Sequence, residues 1–155
     1  MEVIYGELCE IAEEEFPDLV LHYQILLGKL RLYIVDGSYF DIWFSRKFEG
    51  RFAYHWERRM VDGRIYRYDN RPHEELKHMR GFPKHFHDGS DEKISESQFS
   101  EDPEEVLREF LQIVRKEVVN RVNPSNSTNP NNAPKDRNEP NKPDEPFDWN
   151  RPPHK

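Results

Sequence analysis

The chain of 155 residues lacks the features that mark several protein classes. Its single cysteine, Cys9, excludes a disulfide framework and favours a reducing, cytoplasmic setting. No run approaches the ~20 apolar residues of a membrane-spanning helix, and the acidic N-terminus lacks the blocks of a secretory signal. We therefore expect no membrane association, and no disulfide-stabilised, collagen-like or coiled-coil architecture.

Apolar residues make up only 35% of the chain and are scarcest at its C-terminal end. Residues 123–155 contain eight of the twelve prolines and eight asparagines, with Ala133, Phe147 and Trp149 as the apolar set. Such a segment buries too little surface to offset its chain entropy. We expect one domain over residues 1–122 and a disordered tail over 123–155, whose two aromatics are either incidental or part of a partner-docking segment.

Helical signals lie at both ends of the expected domain. Apolar residues recur at three- and four-residue spacing from Ile4 to Phe16, opposite a run of glutamates, and Pro17 ends the pattern. Near the other end, Asp102 is a helix N-cap with Pro103 at the first helical position. An apolar stripe then predicts a helix that continues to about Arg121.

Between these helices the apolar period changes to two residues, which is typical of strands. The predicted strands are Val20–Leu27, Lys29–Asp36, Tyr39–Arg46, Gly50–Arg59 and Arg64–Asp69. Short connections containing glycine make neighbouring strands antiparallel. The sequence therefore predicts an α+β fold, with an N-terminal and a C-terminal helix packed on an antiparallel meander of about five strands. Residues 70–100 show no clear period and are expected to form a long loop that is either functional or disordered.

The formal net charge of −7 conceals a segregation of charge along the chain. Residues 46–87 contain eleven basic against six acidic residues and five of the seven histidines, whereas both flanking segments are acidic. This middle segment can present a positive surface to phosphate or nucleic acid. Its arginines can equally pair with the acidic helices across the fold, and the linear sequence leaves both interpretations open.

The middle segment also contains the residues with the clearest chemical pattern. His85 and His87 are two positions apart, so in an extended segment they project to the same side. His73 follows directly after the predicted strand that ends at Asp69. Three imidazoles and one carboxylate are therefore candidates for a single site, although histidines in a polar loop are often only surface residues.

Two chemistries use such a set of side chains. Neutral imidazoles with a carboxylate bind a divalent transition metal that activates water, which makes all four residues candidate metal ligands. Alternatively, two histidines act as acid and base on a phosphodiester while Arg67 or Lys84 stabilises the developing charge. Asn70 and His55 are further candidates for substrate binding.

Two sequence segments together resemble the motif of a known family. The sequences RYDNRPH (residues 67–73) and FPKHFH (residues 82–87) are similar to the signature of the TumE-like toxins of prokaryotic type II toxin–antitoxin systems. The resemblance extends over about residues 20–120. It implies a small α+β toxin with a cognate antitoxin as partner, whose motif positions here are Arg67, Asp69, Asn70, His73, His85 and His87.

The leading hypothesis is a toxin that acts enzymatically on RNA or a nucleotide. His73, His85 and His87 are then acid–base groups or metal ligands, and Asp69 orients them or joins the ligands. The resemblance implies the biological role of a toxin but not the chemical reaction. The need for a divalent metal therefore stays open, as does the oligomeric state. The alternative is a non-catalytic interaction module with a partner-docking tail and a histidine-rich loop. A structural metal ion is an open possibility for that loop.

Overall fold

The computed structural model describes residues 2–122, which form three helices and a seven-stranded sheet. The helices are α1 (Glu2–Glu15), α2 (Arg59–Asp62) and α3 (Pro103–Val122). The strands are β1 (Val20–Leu26), β2 (Lys29–Ile34), β3 (Tyr39–Phe44), β4 (Phe52–Arg58), β5 (Arg64–Asp69), β6 (His85–Gly89) and β7 (Ile94–Glu96). A 3₁₀ turn at Glu74–Leu76 lies in the connection between β5 and β6.

The seven strands form one antiparallel meander in chain order, from β1 to β7. The turn between β1 and β2 is a tight hairpin in which Leu27 and Gly28 have φ angles of 48° and 78°. Two positive φ values in a two-residue turn match the right-handed twist of a hairpin. Since no connection crosses the sheet, β5 and β6 are neighbours, and the two motif segments are brought side by side.

Alternation of side chains divides the sheet into an apolar and a polar face. On the apolar face, Leu32, Phe40 and Trp56 pair across β2, β3 and β4, and each is fully buried. The two long helices cover this face with side chains such as Leu8 and Phe110, which are also fully buried. The Phe110 ring meets that of Phe40 edge-on, with centroids 4.7 Å apart, so the core lies between the helices and the sheet.

A row of polar side chains crosses the opposite face of the sheet. Asp41, His55, Arg67 and His87 are paired in register across β3 to β6, and each is 5% exposed or less. Buried polar groups are tolerated only when they are hydrogen-bonded or paired. Asp41 accepts two hydrogen bonds from Arg31 at 2.7 and 2.8 Å, and the β6 end of the row enters the candidate site.

The start of α3 confirms the predicted helix cap. Asp102 Oδ1 accepts the backbone N–H groups of Glu104 and Glu105 at 2.8 and 3.2 Å, which satisfies two donors at the helix N-terminus. One turn further along, the guanidinium of Arg108 binds the Glu15 carboxylate at the end of α1. The two long helices are therefore joined to each other as well as to the sheet.

The predicted α+β fold is confirmed, and all five predicted strands are present with ends within two residues of the prediction. Residues 70–100 differ from the expected loop because they contain β6 and β7, which extend the meander to seven strands. The short helix α2 occupies the place of a simple turn before Gly63. The predicted tail and its docking segment lie outside the described residues. Within residues 2–122, no helix is both long and apolar enough to cross a membrane.

Candidate active site

The candidate site lies on the polar face, where β5 and β6 pair. Asp69 is opposite His85 and Arg67 is opposite His87 in the antiparallel register. Since residues two apart on a strand point to the same side, all four side chains project from one face, and each is 5% exposed or less. The structure thus brings together three of the four residues expected to form the centre, Asp69, His85 and His87, which we call the His/Asp cluster.

The Asp69 carboxylate is the hub of the cluster. Its Oδ1 accepts the backbone N–H of Arg71 at 2.9 Å, and its Oδ2 accepts Nε–H of Arg67 at 3.0 Å. The Nε2 atoms of His85 and His87 lie 3.5 Å from Oδ1 and 3.8 Å from Oδ2, respectively. Each carboxylate oxygen therefore has one hydrogen-bond donor and one imidazole nitrogen beside it.

The orientation of both cluster imidazoles is set by backbone carbonyls. His85 Nδ1 lies 2.8 Å from the carbonyl oxygen of Pro83, and His87 Nδ1 lies 2.9 Å from that of Asp91. A carbonyl only accepts hydrogen bonds, so in each ring Nδ1 carries the proton and donates it. In the neutral rings the lone pair is then on Nε2, which points toward Asp69 in both cases.

The environment of His87 keeps its ring neutral near pH 7. Burial, followed by the positive charge of Arg67, lowers the pKa of His87 to about 4. Burial also lowers the pKa of His73 below its ordinary value. At neutral pH these two imidazoles are therefore proton acceptors or ligands rather than sources of a proton.

Arg67 supplies the positive charge at the centre of the site. Besides its bond to Asp69, its Nη2 donates to Asp91 Oδ1 at 2.9 Å and lies 3.2 Å from His87 Nε2. Burial raises the pKa of Asp91, but the Arg67 guanidinium outweighs this effect and holds that pKa below its ordinary value. The buried cation is thus compensated by two carboxylates, of which Asp69 is buried and Asp91 is about half exposed.

His73 stands at the edge of the cluster, beside an open pocket of about 200 Å³. Its ring centroid is 5.7 Å from that of His85, and its side chain is 36% exposed. The pocket walls include Arg67, Asp69, Arg71, His73, His87 and Asp91. His73 therefore belongs to the solvent-facing wall of the site, where it can meet a substrate without the burial that surrounds His85.

Three other predicted site residues lie around the cluster rather than in it. Asn70 accepts the backbone N–H of Phe52 at 2.9 Å and donates to the carbonyl of Gly50 at 2.7 Å, so both ends of its amide hold the start of β4. Lys84 pairs with the exposed Glu101. His55, next to Arg67 in the polar row, contacts Glu57 through Nε2 at 3.1 Å. Direct substrate contacts by these three residues stay predictions.

The structure adds three residues that sequence reasoning missed, namely Arg71, Glu75 and Asp91, which line the same pocket. Asp91 binds Arg67 with its carboxylate and His87 with its carbonyl. Its position follows from the turn that begins at Asp88-Gly89 and returns the chain from β6 to β7. A glycine-containing turn after the His-Phe-His alternation is the signal that points to this hairpin.

The donor atoms of the His/Asp cluster are close enough to share one ligand. One donor each from Asp69, His85 and His87 lies within 4.8 Å of the others, and all three side chains are buried. Two neutral imidazoles with a carboxylate can hold a transition-metal ion or exchange protons with a substrate. Either chemistry has an adjacent cation, Arg67, to stabilise negative charge.

A family model described as "Toxin TumE" matches residues 10–118 of the chain. No curated protein and no solved structure matches the chain significantly. The matched range includes the whole polar row, the His/Asp cluster and most of α3.

Proposed function

We propose that this chain, which belongs to the TumE toxin family, acts in a toxin–antitoxin system as an enzyme on RNA or nucleotides through the His/Asp cluster. The observation that carries the proposal is the convergence of Asp69, His85 and His87 beside a pocket that two arginines help to line. Buried charged groups are costly to maintain, and functional sites are where such costs concentrate.

The roles of the histidines follow from their surroundings. With a pKa of about 4, His87 is protonated in only about 0.1% of molecules at pH 7. It is therefore suited to accept a proton or a metal ion, and not to donate a proton to a leaving group. The more exposed His73 reaches the pocket from its solvent side, which favours contact with the substrate.

Two arginines at the pocket are the groups that could contact an anionic substrate. Arg67 and Arg71 both line the pocket, together with the carboxylates of Asp69, Glu75 and Asp91. Lys84, one position before His85, lies outside this lining and pairs with Glu101. Fixed positive groups near a phosphodiester stabilise the charge that develops on its oxygens during cleavage. RNA fits these groups, since each nucleotide provides a phosphate for Arg67 or Lys84 to contact, and Asp69 then orients the imidazoles.

The same proposal assigns the remaining parts of the chain. We assign residues 1–122 to the toxin domain and residues 123–155, which include Phe147 and Trp149, to a separate tail. The family supports an antitoxin protein as partner. Action on cellular RNA places the protein in the cytoplasm, where a free, buried thiol such as Cys9 is stable.

Growth of a bacterial host after induction tests the proposal. The test compares the wild type with a variant in which His73, His85 and His87 are all replaced by alanine. The matched control replaces His22 and His78, two histidines that lie outside the cluster and are exposed. Circular dichroism on the purified proteins checks that each variant is folded, and total RNA is examined before and after induction.

We expect the wild type and the control to arrest growth and degrade or modify RNA, and the triple variant to do neither. Arrest by the folded triple variant would separate toxicity from the His/Asp cluster and overturn the catalytic assignment. That result would instead support the alternative, in which the protein acts by binding a partner.

A further inference from the structure

We infer that Asp69, His85 and His87 bind one divalent first-row transition-metal ion, through a carboxylate oxygen and two Nε2 atoms. The inference deepens the proposed function of this pocket and rests on it for the role of the ion in the reaction. Metal binding itself is measurable without any assay of activity. His73 is assigned to the substrate side of the pocket and is not a ligand.

The spacing of the donors is the first argument. The two Nε2 atoms lie 3.5 and 3.8 Å from different oxygens of the same carboxylate, and one donor from each residue lies within 4.8 Å of the others. An ion at about 2.0–2.2 Å from imidazole nitrogen and carboxylate oxygen fits between donors at such separations. Small side-chain shifts complete the geometry.

The state of the two histidines is the second argument. Each Nδ1–H donates to a backbone carbonyl, that of Pro83 for His85 and that of Asp91 for His87. Metal-binding histidines are characteristically fixed in this way, because the second hydrogen bond sets the tautomer and aims the other nitrogen at the ion. The aimed atom of His85, Nε2, is buried and has no hydrogen-bond partner within residues 2–122; a buried polar atom of this kind calls for an explanation, which a role as metal ligand gives.

Arg67 is the competitor for this position. Its Nη2 is 3.2 Å from His87 Nε2, and its Nε binds Asp69, so the guanidinium contacts two of the three proposed ligands. An ion that binds His87 must take the place of the Arg67 contact, while Asp91, at 2.9 Å, continues to hold the arginine. Removal of this positive charge is therefore expected to tighten metal binding by at least about tenfold.

The ligand set determines the class of ion. Two imidazoles and one carboxylate suit Zn²⁺, Fe²⁺, Co²⁺ or Mn²⁺ better than Mg²⁺ or Ca²⁺, which prefer oxygen ligands. Three protein ligands leave coordination positions for water and for a phosphate oxygen from the pocket. In hydrolysis, water adds across the P–O bond: its hydroxide joins phosphorus, and its proton ends on the departing oxygen.

Titration of the metal-free full-length protein with Co²⁺ near pH 7.5 tests the inference, with visible absorption as readout and Zn²⁺ as competitor. We expect one equivalent to bind. Asp69→Asn, His85→Gln and His87→Gln should each weaken binding by at least about 100-fold, since loss of a residue that merely orients a ligand already costs 10–100-fold. The matched control His78→Gln should bind as the wild type does, and Arg67→Gln should bind more tightly.

A measurement on the wild type alone guards against variants that fail to fold. Nitrogen spectra of the histidine rings, with and without Zn²⁺, should show shifts at Nε2 of His85 and His87 and none at His78. Absence of stoichiometric binding, or binding that survives all three ligand variants, would overturn the inference. Toxicity that depends on the cluster without any bound metal would overturn only the metal site. Metal binding with intact cellular RNA and unchanged nucleotide pools would overturn the proposed function instead.

Discussion

The buried pair of Arg67 and Asp69 gives a quantitative prediction about the cost of the site. Their side chains are 6% and 7% exposed and are joined by a 3.0 Å hydrogen bond. Asp69→Asn retains the shape of the side chain but leaves Arg67 with the half-exposed Asp91 as its acidic partner. Loss of one member of a buried pair costs about 3–5 kcal/mol, and we expect about 3 kcal/mol here because Asp91 still neutralises part of the charge.

A double-mutant cycle then separates this pair from the rest of the fold. When Arg67→Met accompanies Asp69→Asn, the buried charge that Asp91 neutralises only in part is gone. The double variant should therefore be more stable, by about 2 kcal/mol, than the sum of the single changes predicts. Urea unfolding in the presence of a chelator measures each free energy. The exposed pair Lys93–Asp88, with side chains 70% and 44% exposed, is the control, and its coupling should stay below about 1 kcal/mol.

Additive effects of the two changes at Arg67 and Asp69 would contradict this prediction. Coupling no larger than that of the control pair would mean that water reaches the Arg67–Asp69 contact and screens it. The polar row would then be an ordinary solvated surface. Buried charge would then no longer distinguish this face of the sheet as a functional site.

Three further predictions concern pH, the core and the surface. Because folding lowers the pKa of His87 from about 6.5 to about 4, the unfolded chain binds a proton first as the pH falls. With a chelator present, the free energy of unfolding should therefore fall by up to about 3 kcal/mol as the pH is lowered from about 6.5 to about 4. Urea unfolding at stepped pH should show that His87→Gln removes this loss, whereas His78→Gln retains it. In the same assay, Phe110→Ala should lower the free energy of unfolding by about 3–5 kcal/mol, because Phe110 is fully buried. Val119→Ala, at an exposed position, should change it by no more than about 0.5 kcal/mol. Lys84→Ala should lower the free energy of unfolding by less than about 1 kcal/mol, since its acidic partner is 85% exposed. If the lysine contacts phosphate, the same change should slow RNA cleavage by at least about tenfold.

An apolar buried face makes β2 and β3 predictable from the sequence. In β2 and β3, alternation of residues such as Leu32 and Phe40 reveals both the strand and its inner face. In β6 the most buried positions are His85 and His87, so a hydrophobic pattern is absent and the strand resembles a loop. Periodicity therefore does not reveal β6, the strand that carries two of the three cluster residues.

Only those parts of the candidate site that follow from local spacing could be predicted. The two-residue spacing of His85 and His87 indicates a shared side without any knowledge of the fold, and the proximity of Asp69 follows once β5 and β6 pair. Asp91 reaches the site through the hairpin from β6 to β7, which had not been recognised as a hairpin. Asn70 holds the start of β4 through hydrogen bonds to residues about twenty positions away in the chain, which no local pattern reveals.

Cleavage of a labelled single-stranded RNA by the purified protein tests the central claim most directly. The wild type, folded His85→Gln and the control His78→Gln are compared at equal concentration, with and without added Mn²⁺ or Zn²⁺. We predict cleavage by the wild type and the control, and a loss of at least about 100-fold in His85→Gln, the loss expected when a group acting on the reacting atoms is removed. Equal rates for the wild type and His85→Gln, or no cleavage by the wild type under any of these conditions, would contradict the account.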